Sequence, residues 1–395
     1  MAFDPTKNKR LAIFLDGTWN EEGDNTSVWR LRSLCAPVDE KGARQLIFYD
    51  TGVGTAFGEK VRGGLYGFGI DEHVTKAYEW LVENYNDGDQ IFIFGFSRGA
   101  FTARCLAGLV SICGIVRPGT PLGVGQLYAR YGKVDRNHDS IRELLRKSEA
   151  GELKAPEREQ AWLLKYSRRV EIEMLGVWDT VAAIDLPGFA KHDFLDPNLR
   201  HDMKNAFHAM ALDEHRHRFA PTLWTQSRPK RFGLPKITRP YESVEQRWFV
   251  GAHANVGGGY PNDFLPQIPL KWIAEKAKGC GLHLRDEVEI EEGAIKDPVA
   301  DSYAPFLHGL YKHASAEYFR PVGEAVREGA EYYTQNINET IDASVFEKWR
   351  VDETYRPDNL KAWADAHGVK VEDMTGDKRA DDPHKPFTHE AAEAS

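Results

Sequence analysis

The amino-acid sequence predicts an α/β fold, in which a mostly parallel sheet carries helices on both faces and is interrupted by helical insertions. Short apolar runs recur along the 395 residues, and most of them lead into a glycine-rich or polar loop and then a helical pattern. One run, residues 91–94, is continuously apolar. That is typical of a central parallel strand covered on both faces.

The predicted elements alternate along the chain. Strands are predicted at residues 11–15, 46–49, 91–94, 171–177 and 248–250. Helices with apolar residues at helical spacing are predicted at 71–85, 99–113 and 269–279. Repeated strand–helix alternation implies parallel neighbours joined by right-handed crossovers.

One α/β domain is expected to occupy residues 1–350. Residues 119–169 are charged and largely helical, and they form either a lid over a site or a peripheral helical layer. Residues 187–245, rich in His, Arg and Pro, are interpreted as a second insertion. Residues 351–395 are interpreted as a C-terminal extension that is disordered from about residue 376.

Composition narrows the classes of function. The net charge of −9 and the lack of a long basic stripe argue against a nucleic-acid partner. The N-terminus lacks the apolar core of a secretory signal. The most apolar run, 105–116, is too short for a bilayer, which takes about 20 residues. We therefore expect a cytoplasmic protein without a transmembrane segment; signal-peptide-independent export, peripheral membrane contact and the oligomeric state stay open.

The strongest functional signal is Gly95-Phe96-Ser97-Arg98-Gly99, a GxSxG motif between a predicted strand and a predicted helix. This context presents a serine nucleophile on a sharp turn. Glycines are needed because side chains at the flanking positions would collide with the neighbouring strand and helix. The turn also places Ser97 at a helix N-terminus, which favours developing negative charge. The alternative is an incidental serine in a strand–helix connection.

A serine hydroxyl needs a base, and an acid must orient that base. His253 is the candidate base, because it follows an apolar run and precedes three glycines that let the backbone bend tightly. Asp179, at the end of another apolar run, is the candidate acid. The alternatives are a structural loop histidine and a helix N-cap aspartate. The chain order Ser97, Asp179, His253 is that of α/β-hydrolases, so an α/β-hydrolase-like sheet is expected.

An acyl-transfer site also needs donors for the oxyanion. The predicted donors are the backbone N–H of Arg98 and that of Gly17 or Thr18, which follow the first strand. Further residues are interpreted as shaping the site or lining its rim, with Asp16 holding its own loop: Asp16, Trp19, Gly52, Gly54 and Phe96. These loops all follow strands, at the edge where open α/β sheets bind ligands.

A cluster of histidines and acids competes with this site. Its members are His201, Asp202, His208, Asp213, Glu214, His215 and His217. Such residues bind zinc or iron, but their spacing matches no common metal motif and arginines are interleaved. We interpret the cluster as a charged helix and loop surface and predict neither a metal nor a cofactor. The four cysteines form no CxxC pair and are interpreted as small buried residues.

Six segments occur in the order LAIFLDGTWN, FYDTGVGT, IFIFGFSRGAFTAR, GVWDTVAA, ALDEHRHRFAPTLW and WFVGAHANVGGGY. Together they resemble the catalytic domain of type VI secretion lipase effectors, from about residue 11 to 282 or further. The resemblance implies an α/β-hydrolase fold and phospholipase A activity, with the triad at Ser97, Asp179 and His253. The chain departs at Asn255, where the family's GxHxDVGGGY motif has aspartate. It also leaves little room after about residue 345 for the membrane-engaging region that effector relatives often carry.

The predicted activity is hydrolysis of carboxylic esters through an acyl-serine intermediate, with lipid or phospholipid acyl esters as substrate. Three alternatives stay open: an esterase for non-lipid small esters, a non-catalytic binding or effector protein with a retained hydrolase fold, and metal-dependent hydrolysis at the histidine-rich cluster. Aromatic residues near the loops suit an apolar acyl group, or are simply core: Trp19, Phe57, Tyr66, Phe68 and Phe96.

Overall fold

The computed structural model describes residues 3–17, 25–52, 68–132, 139–181, 199–306 except 201, and 311–387 except 325. The strands in these ranges are β1 (Arg10–Leu15), β2 (Gln45–Asp50), β3 (Gln90–Phe96), β4 (Ile115–Val116), β5 (Ser167–Arg168), β6 (Ile172–Trp178), β7 (Met203–Ala211), β8 (Thr225–Pro229), β9 (Val244–Phe249), β10 (Arg327–Glu328), β11 (Tyr332–Asn336), β12 (Glu339–Ile341) and β13 (Lys378–Arg379). The helices are α1 (Ser27–Leu34), α2 (Phe68–Asn84), α3 (Arg98–Cys113), α4 (Val124–Gly132), α5 (Ile141–Glu149), α6 (Arg158–Tyr166), α7 (His253–Gly257), α8 (Gln267–Gly279), α9 (Tyr311–Ala314), α10 (Ala343–Val351) and α11 (Asp358–His367). No helix in the described ranges is long and apolar enough to cross a membrane.

In the described part of the chain, eight strands form the main sheet, in the order β2-β1-β3-β6-β7-β9-β12-β13. Every neighbouring pair is parallel except β12 and β13 at the edge. The predicted α/β fold with a mostly parallel sheet is confirmed. Because parallel strands end at the same edge of the sheet, the loops after β1, β3, β6, β7 and β9 meet there.

Helices cover both faces of the sheet, because the side chains of a strand alternate between its faces. Leu11, Ile13 and Leu15 of β1 pack in one core with α2 and α3, whereas Ala12 and Phe14 pack in another with α1 and α8. A third core lies beside β12, where α10 and α11 pack. Because helices cover both faces, we expect a site at the carboxyl ends of the strands.

The prediction that residues 187–245 form an insertion is wrong. This stretch contains β7, which pairs with β6 on one side and β9 on the other in the middle of the sheet. Although His217 is exposed, the interpretation of the histidine and acid cluster as a charged surface is wrong for His208, Asp213 and Glu214, which are buried. Their polar groups are tolerated inside because each is hydrogen-bonded.

The described part of residues 119–169 packs as a peripheral layer. Tyr131 of α4 lies against Gly108, and the carbonyl of Leu127, also on α4, contacts the thiol of Cys113. Gly108 and Cys113 are on the C-terminal half of α3. Ser97 precedes the N-terminus of the same helix. These contacts favour the peripheral-layer alternative over a lid.

The C-terminal extension is folded further than expected. Disorder was predicted from about residue 376, but β13 pairs with β12 and Trp363 of α11 donates to the carbonyl of Ala380. The charged composition of the segment predicted disorder, but the segment is ordered by edge pairing with β12 and by a few apolar residues that pack beside that strand. Residues 388–395 lie outside the described part.

Candidate active site

The turn between β3 and α3 holds Ser97 in a strained conformation. Its φ is 58° and its ψ −123°, a region that non-glycine residues rarely adopt. A Cβ on Gly95 would lie 2.5 Å from the carbonyl oxygen of Gly99, and one on Gly99 would overlap the carbonyl oxygen of Leu15. The steric reason predicted for both glycines is thus visible in the packing around the serine.

The three side chains predicted as a triad meet at the carboxyl edge of the sheet. The Oγ of Ser97 lies 2.8 Å from the Nε2 of His253. The Nδ1 of His253 lies 2.6 Å from the Oδ2 of Asp179. Ser97 follows β3, Asp179 follows β6, and His253 begins α7 after β9. All three are buried, His253 at 7 % exposure and Ser97 at 8 %.

The Asp179 carboxylate is held from several sides. Its Oδ1 accepts the backbone N–H of Ala211 at 3.0 Å, and the guanidinium of Arg320 donates to Oδ1 at 2.6 Å and to Oδ2 at 3.0 Å. Burial alone would raise the pKa of Asp179, but the charges of Arg320 and His253 outweigh it and hold the pKa well below its usual range. The carboxylate is therefore ionised at neutral pH.

Sequence reasoning missed Arg320. It is fully buried between β7 and the triad, and it also donates to the carbonyls of Ala211 and Phe219. The residue stands alone in the stretch YFRPVG, 141 positions from Asp179, with no motif around it. No sequence signal marks such a long-range pair.

Two residues of the misinterpreted cluster support the triad. Glu214 accepts the backbone N–H of His253 at 3.2 Å and forms an ion pair with Arg216 at 2.7 Å. Burial opposes its ionisation, but Arg216 lowers the pKa of Glu214 to about 2. His208 accepts the N–H of Thr180 through its Nε2 at 3.0 Å, and burial lowers its pKa to about 3. A neutral imidazole therefore holds the turn that follows Asp179.

Two aromatic rings pack against the His253 imidazole. The centroid of Phe96 lies 4.7 Å away and that of Phe219 5.0 Å away. Gly257 makes this packing close, because a Cβ there would overlap the Phe96 ring. The aromatic contacts restrict rotation of the imidazole, which keeps Nε2 directed at Ser97.

The position where the chain departs from the family motif is fully engaged. The Nδ2 of Asn255 donates to the Oδ2 of Asp263 at 2.8 Å, and its Oδ1 accepts the N–H groups of Ala252 and Ala300 at 3.0 Å each. The amide uses both a donor and an acceptor, so it fits this loop as asparagine. The departure leaves His253 in place.

The loop after β1 is held by Asp16. Its carboxylate accepts the N–H of Gly17 at 2.7 Å, the hydroxyl of Thr26 at 2.5 Å and that of Tyr49 at 3.1 Å. These bonds suit the loop-holding role predicted for Asp16. They also engage the N–H predicted as an oxyanion donor in Gly17.

The other predicted site residues are placed as follows. Arg98 is the first residue of α3, so its backbone N–H lies next to Ser97. Gly52 approaches the β1 loop closely, since a Cβ on it would lie 2.6 Å from the carbonyl oxygen of Asp16. Several candidates, and the side chain of Phe68, lie outside the described residues: Thr18, Trp19, Gly54, Phe57, Tyr66 and His201.

A serine, a histidine and a carboxylate in this geometry, on a mostly parallel α/β sheet, define the class of α/β proteins with a triad-like site. Comparison with known families gives the particular assignment. Residues 9–276 match the model of the type VI secretion system (T6SS) phospholipase effector Tle1-like catalytic domain. The chain belongs to this family, and the resemblance expected from its motifs is confirmed.

Individual relatives are more distant. An uncharacterized protein of Saccharomyces cerevisiae is 26% identical over 255 residues, which are 58% of this chain and 35% of the yeast protein. An uncharacterized protein from Pseudomonas aeruginosa superposes with a TM-score of 0.45 at 17% identity, over 78% of this chain and 51% of the other. The Tle1 effector bound to the VgrG spike superposes with a TM-score of 0.34 at 20% identity, over 66% of this chain and 52% of the effector chain. The chain thus spans about a third to a half of these relatives.

Proposed function

We propose that this protein hydrolyses acyl esters of lipids through a covalent acyl-serine on Ser97. The observation that carries the proposal is the pair of hydrogen bonds from Ser97 to His253 and from His253 to Asp179. Membership of a phospholipase effector family supports a lipid ester as the substrate class.

Catalysis begins when the Nε2 of His253 takes the proton of the Ser97 hydroxyl as the oxygen attacks the ester carbonyl. Asp179 accepts the Nδ1 proton in a hydrogen bond, which fixes the tautomer and stabilises the imidazolium that forms. His253 then gives its proton to the departing alcohol, which leaves an acyl-serine. Water, deprotonated by the same imidazole, hydrolyses this ester and regenerates the serine.

Negative charge on the tetrahedral oxygen needs N–H donors. We propose the backbone N–H of Arg98 as one of them, because Arg98 is the first residue of α3 and the helix dipole adds to the effect there. Gly17 can supply another only if its N–H leaves the Asp16 carboxylate. We infer that substrate binding includes this small rearrangement of the loop.

Replacement of Ser97 by alanine tests the mechanism. We expect Ser97→Ala to lower turnover of a chromogenic short-chain ester by at least about 10³-fold, since the nucleophile is removed. Ser111→Ala is the matched control, because Ser111 is a buried serine on the same helix, well away from the site. It should keep wild-type turnover. The wild type, but not Ser97→Ala, should be labelled by a fluorophosphonate probe.

The substrate class is tested by mass analysis of products from phosphatidylethanolamine and phosphatidylglycerol vesicles. Release of a fatty acid and a lysophospholipid supports phospholipase A activity. Turnover of small esters alone points to a non-lipid esterase. Folded wild-type protein that is inert to the probe and to every ester contradicts the proposal and favours a binding protein with a retained fold.

A further inference from the structure

We propose that Arg320 is a positioning residue of this site, which holds the triad carboxylate by a bidentate ion pair and thereby offsets the negative charge that faces His253. The proposal rests on the hydrolase function argued above. It concerns a residue outside residues 9–276, the part of the chain that matches the family.

The geometry of the pair is specific. One terminal nitrogen of Arg320 lies 2.6 Å from the Oδ1 of Asp179, and the other lies 3.0 Å from Oδ2. The same two nitrogens also donate to the carbonyls of Ala211 and Phe219. The guanidinium therefore cannot rotate without breaking several bonds, and it fixes the carboxylate plane in which His253 finds its acceptor.

Because Arg320 and Asp179 are buried, their charges act strongly on neighbouring charged groups. Arg320 and Asp179 are both 0 % exposed, so water does not screen them. Asp179 alone would stabilise a protonated His253 strongly. The positive charge of Arg320 cancels much of that attraction, because it lies against the same carboxylate.

Other charged or titratable groups surround the triad on neighbouring elements. Among the described residues they include Glu214 with its partner Arg216, His208 with Arg104 nearby, and Asp213 with Tyr355 and His215. Glu214 is neutralised by Arg216, and His208 is uncharged at neutral pH. Arg320 differs from these groups because it contacts the triad carboxylate directly.

The segment around Arg320 is anchored independently of the triad. The N–H of Tyr318 donates to the carbonyl of His215, and Asn359 of α11 donates to the carbonyl of Arg320 at 3.3 Å. Gly323 donates to the Glu339 carboxylate at 2.6 Å. These bonds hold the backbone on both sides of Arg320, so its side chain is presented to Asp179 by the fold.

Charge and geometry are separated by two variants, Arg320→Met and Arg320→Lys. Arg320→Met removes both, and we expect the acid limb of the kcat/KM profile to move to higher pH by about one unit or more. The direction is the same whether Asp179 stays ionised, with its charge no longer offset by Arg320, or takes up a proton itself. The plateau kcat should fall about 10- to 100-fold with little change in KM.

Arg320→Lys keeps the charge but cannot grip two oxygens at once. Its acid limb should stay close to that of the wild type, while its plateau kcat falls. Arg130→Met is the control, because Arg130 is another buried arginine paired with a carboxylate, Glu159, in the peripheral layer. It should lose stability without a change in the pH profile.

A wild-type acid limb in folded Arg320→Met, or a wild-type plateau in Arg320→Lys, overturns the inference. If Arg320→Met shows no cooperative unfolding transition, the plateau of Arg320→Lys decides alone. Failure of the hydrolase proposal is read separately, from Ser97→Ala: turnover that survives that substitution removes both proposals, whereas Ser97-dependent turnover with an unaltered Arg320 series removes only this one.

Discussion

Replacing Asn255 by aspartate would restore the residue of the family motif, yet the structure predicts that it destabilises this chain. Asn255 is 1 % exposed, and its amide donates to the Oδ2 of Asp263 across 2.8 Å. Aspartate keeps the oxygen that accepts from Ala252 and Ala300 but replaces the donor with a second oxygen. Two carboxylates would then face each other beside the loop that carries His253.

The loss of free energy of unfolding has a lower limit, or floor, and an upper limit, or ceiling. The floor is the loss of a hydrogen bond to a charged group, about 1.5–3 kcal/mol. The ceiling is the cost of protonating one carboxyl at pH 7, about 4 kcal/mol for an ordinary pKa near 4, because the protonated acid donates an O–H in place of the N–H. We therefore expect Asn255→Asp to lower the free energy of unfolding at pH 7 by about 2–4 kcal/mol.

The sign of the pH dependence follows from the shared proton. Burial already raises the pKa of Asp263 in the wild type, and a second carboxyl would raise the pKa of the pair further. A group whose pKa is raised by folding contributes stability below its unfolded pKa and loses it as the pH rises. The penalty should thus be small at about pH 4 and grow by about 1.4 kcal/mol per unit until the folded pKa is passed.

Urea unfolding followed by tryptophan fluorescence at pH 5 and pH 7.5 measures both quantities. The control is the exchanged pair, Asn255→Asp with Asp263→Asn, in which an amide again faces a carboxylate and the N–H of Leu265 keeps its acceptor. This double variant should regain most of the lost stability. Equal stability of wild type and Asn255→Asp at pH 7.5, or no recovery in the exchanged pair, would refute the reasoning.

Two further predictions concern buried polar contacts behind the triad. His208→Leu leaves the N–H of Thr180 without its acceptor and should cost about 1–3 kcal/mol at pH 7. Because the folded pKa of His208 is lowered to about 3, its stabilising effect is present above about pH 6.5 and is lost as the pH falls. Urea unfolding between pH 4 and 8 should show this loss in the wild type and a weaker one in the variant. Tyr355→Phe removes the hydroxyl that donates to the buried Asp213 at 3.0 Å, and should lower stability by about 1–3 kcal/mol; an unchanged Tm would contradict it.

The sequence predicted the parts of the fold whose residues carry their own pattern. β1 and β3 are buried on both faces, so their runs are continuously apolar and their bounds were found to within two residues. The Ser97 turn was recognisable for a related reason. Gly95 is required by a contact inside the turn, with the carbonyl oxygen of Gly99, and Gly99 is required by its close approach to Leu15 at the end of β1. The spacing of the two glycines around the serine therefore records how the turn packs.

β7 and Arg320 escaped prediction because their partners are distant in the chain. His208 interrupts the apolar run of β7 and suggests a surface, whereas its ring is neutral and hydrogen-bonded to the loop after β6. Arg320 pairs with a carboxylate 141 positions away, which leaves no periodicity to read. Polar residues that are buried through long-range pairing look like exposed residues in a single sequence.

The same long-range contacts bear on where the folding unit ends. Residues 9–276 contain all three members of the proposed triad, but two residues beyond this range contact the site. Arg320 donates to the Asp179 carboxylate. Tyr355 donates to Asp213, whose carboxylate accepts the N–H of Gly251, two residues before His253. A chain cut after residue 276 would leave the Asp179 carboxylate buried without its cation, which costs about 3–5 kcal/mol in comparable pairs. That is a large part of the stability of an ordinary domain. The segment beyond the family match therefore belongs to the same cooperative unit as the site.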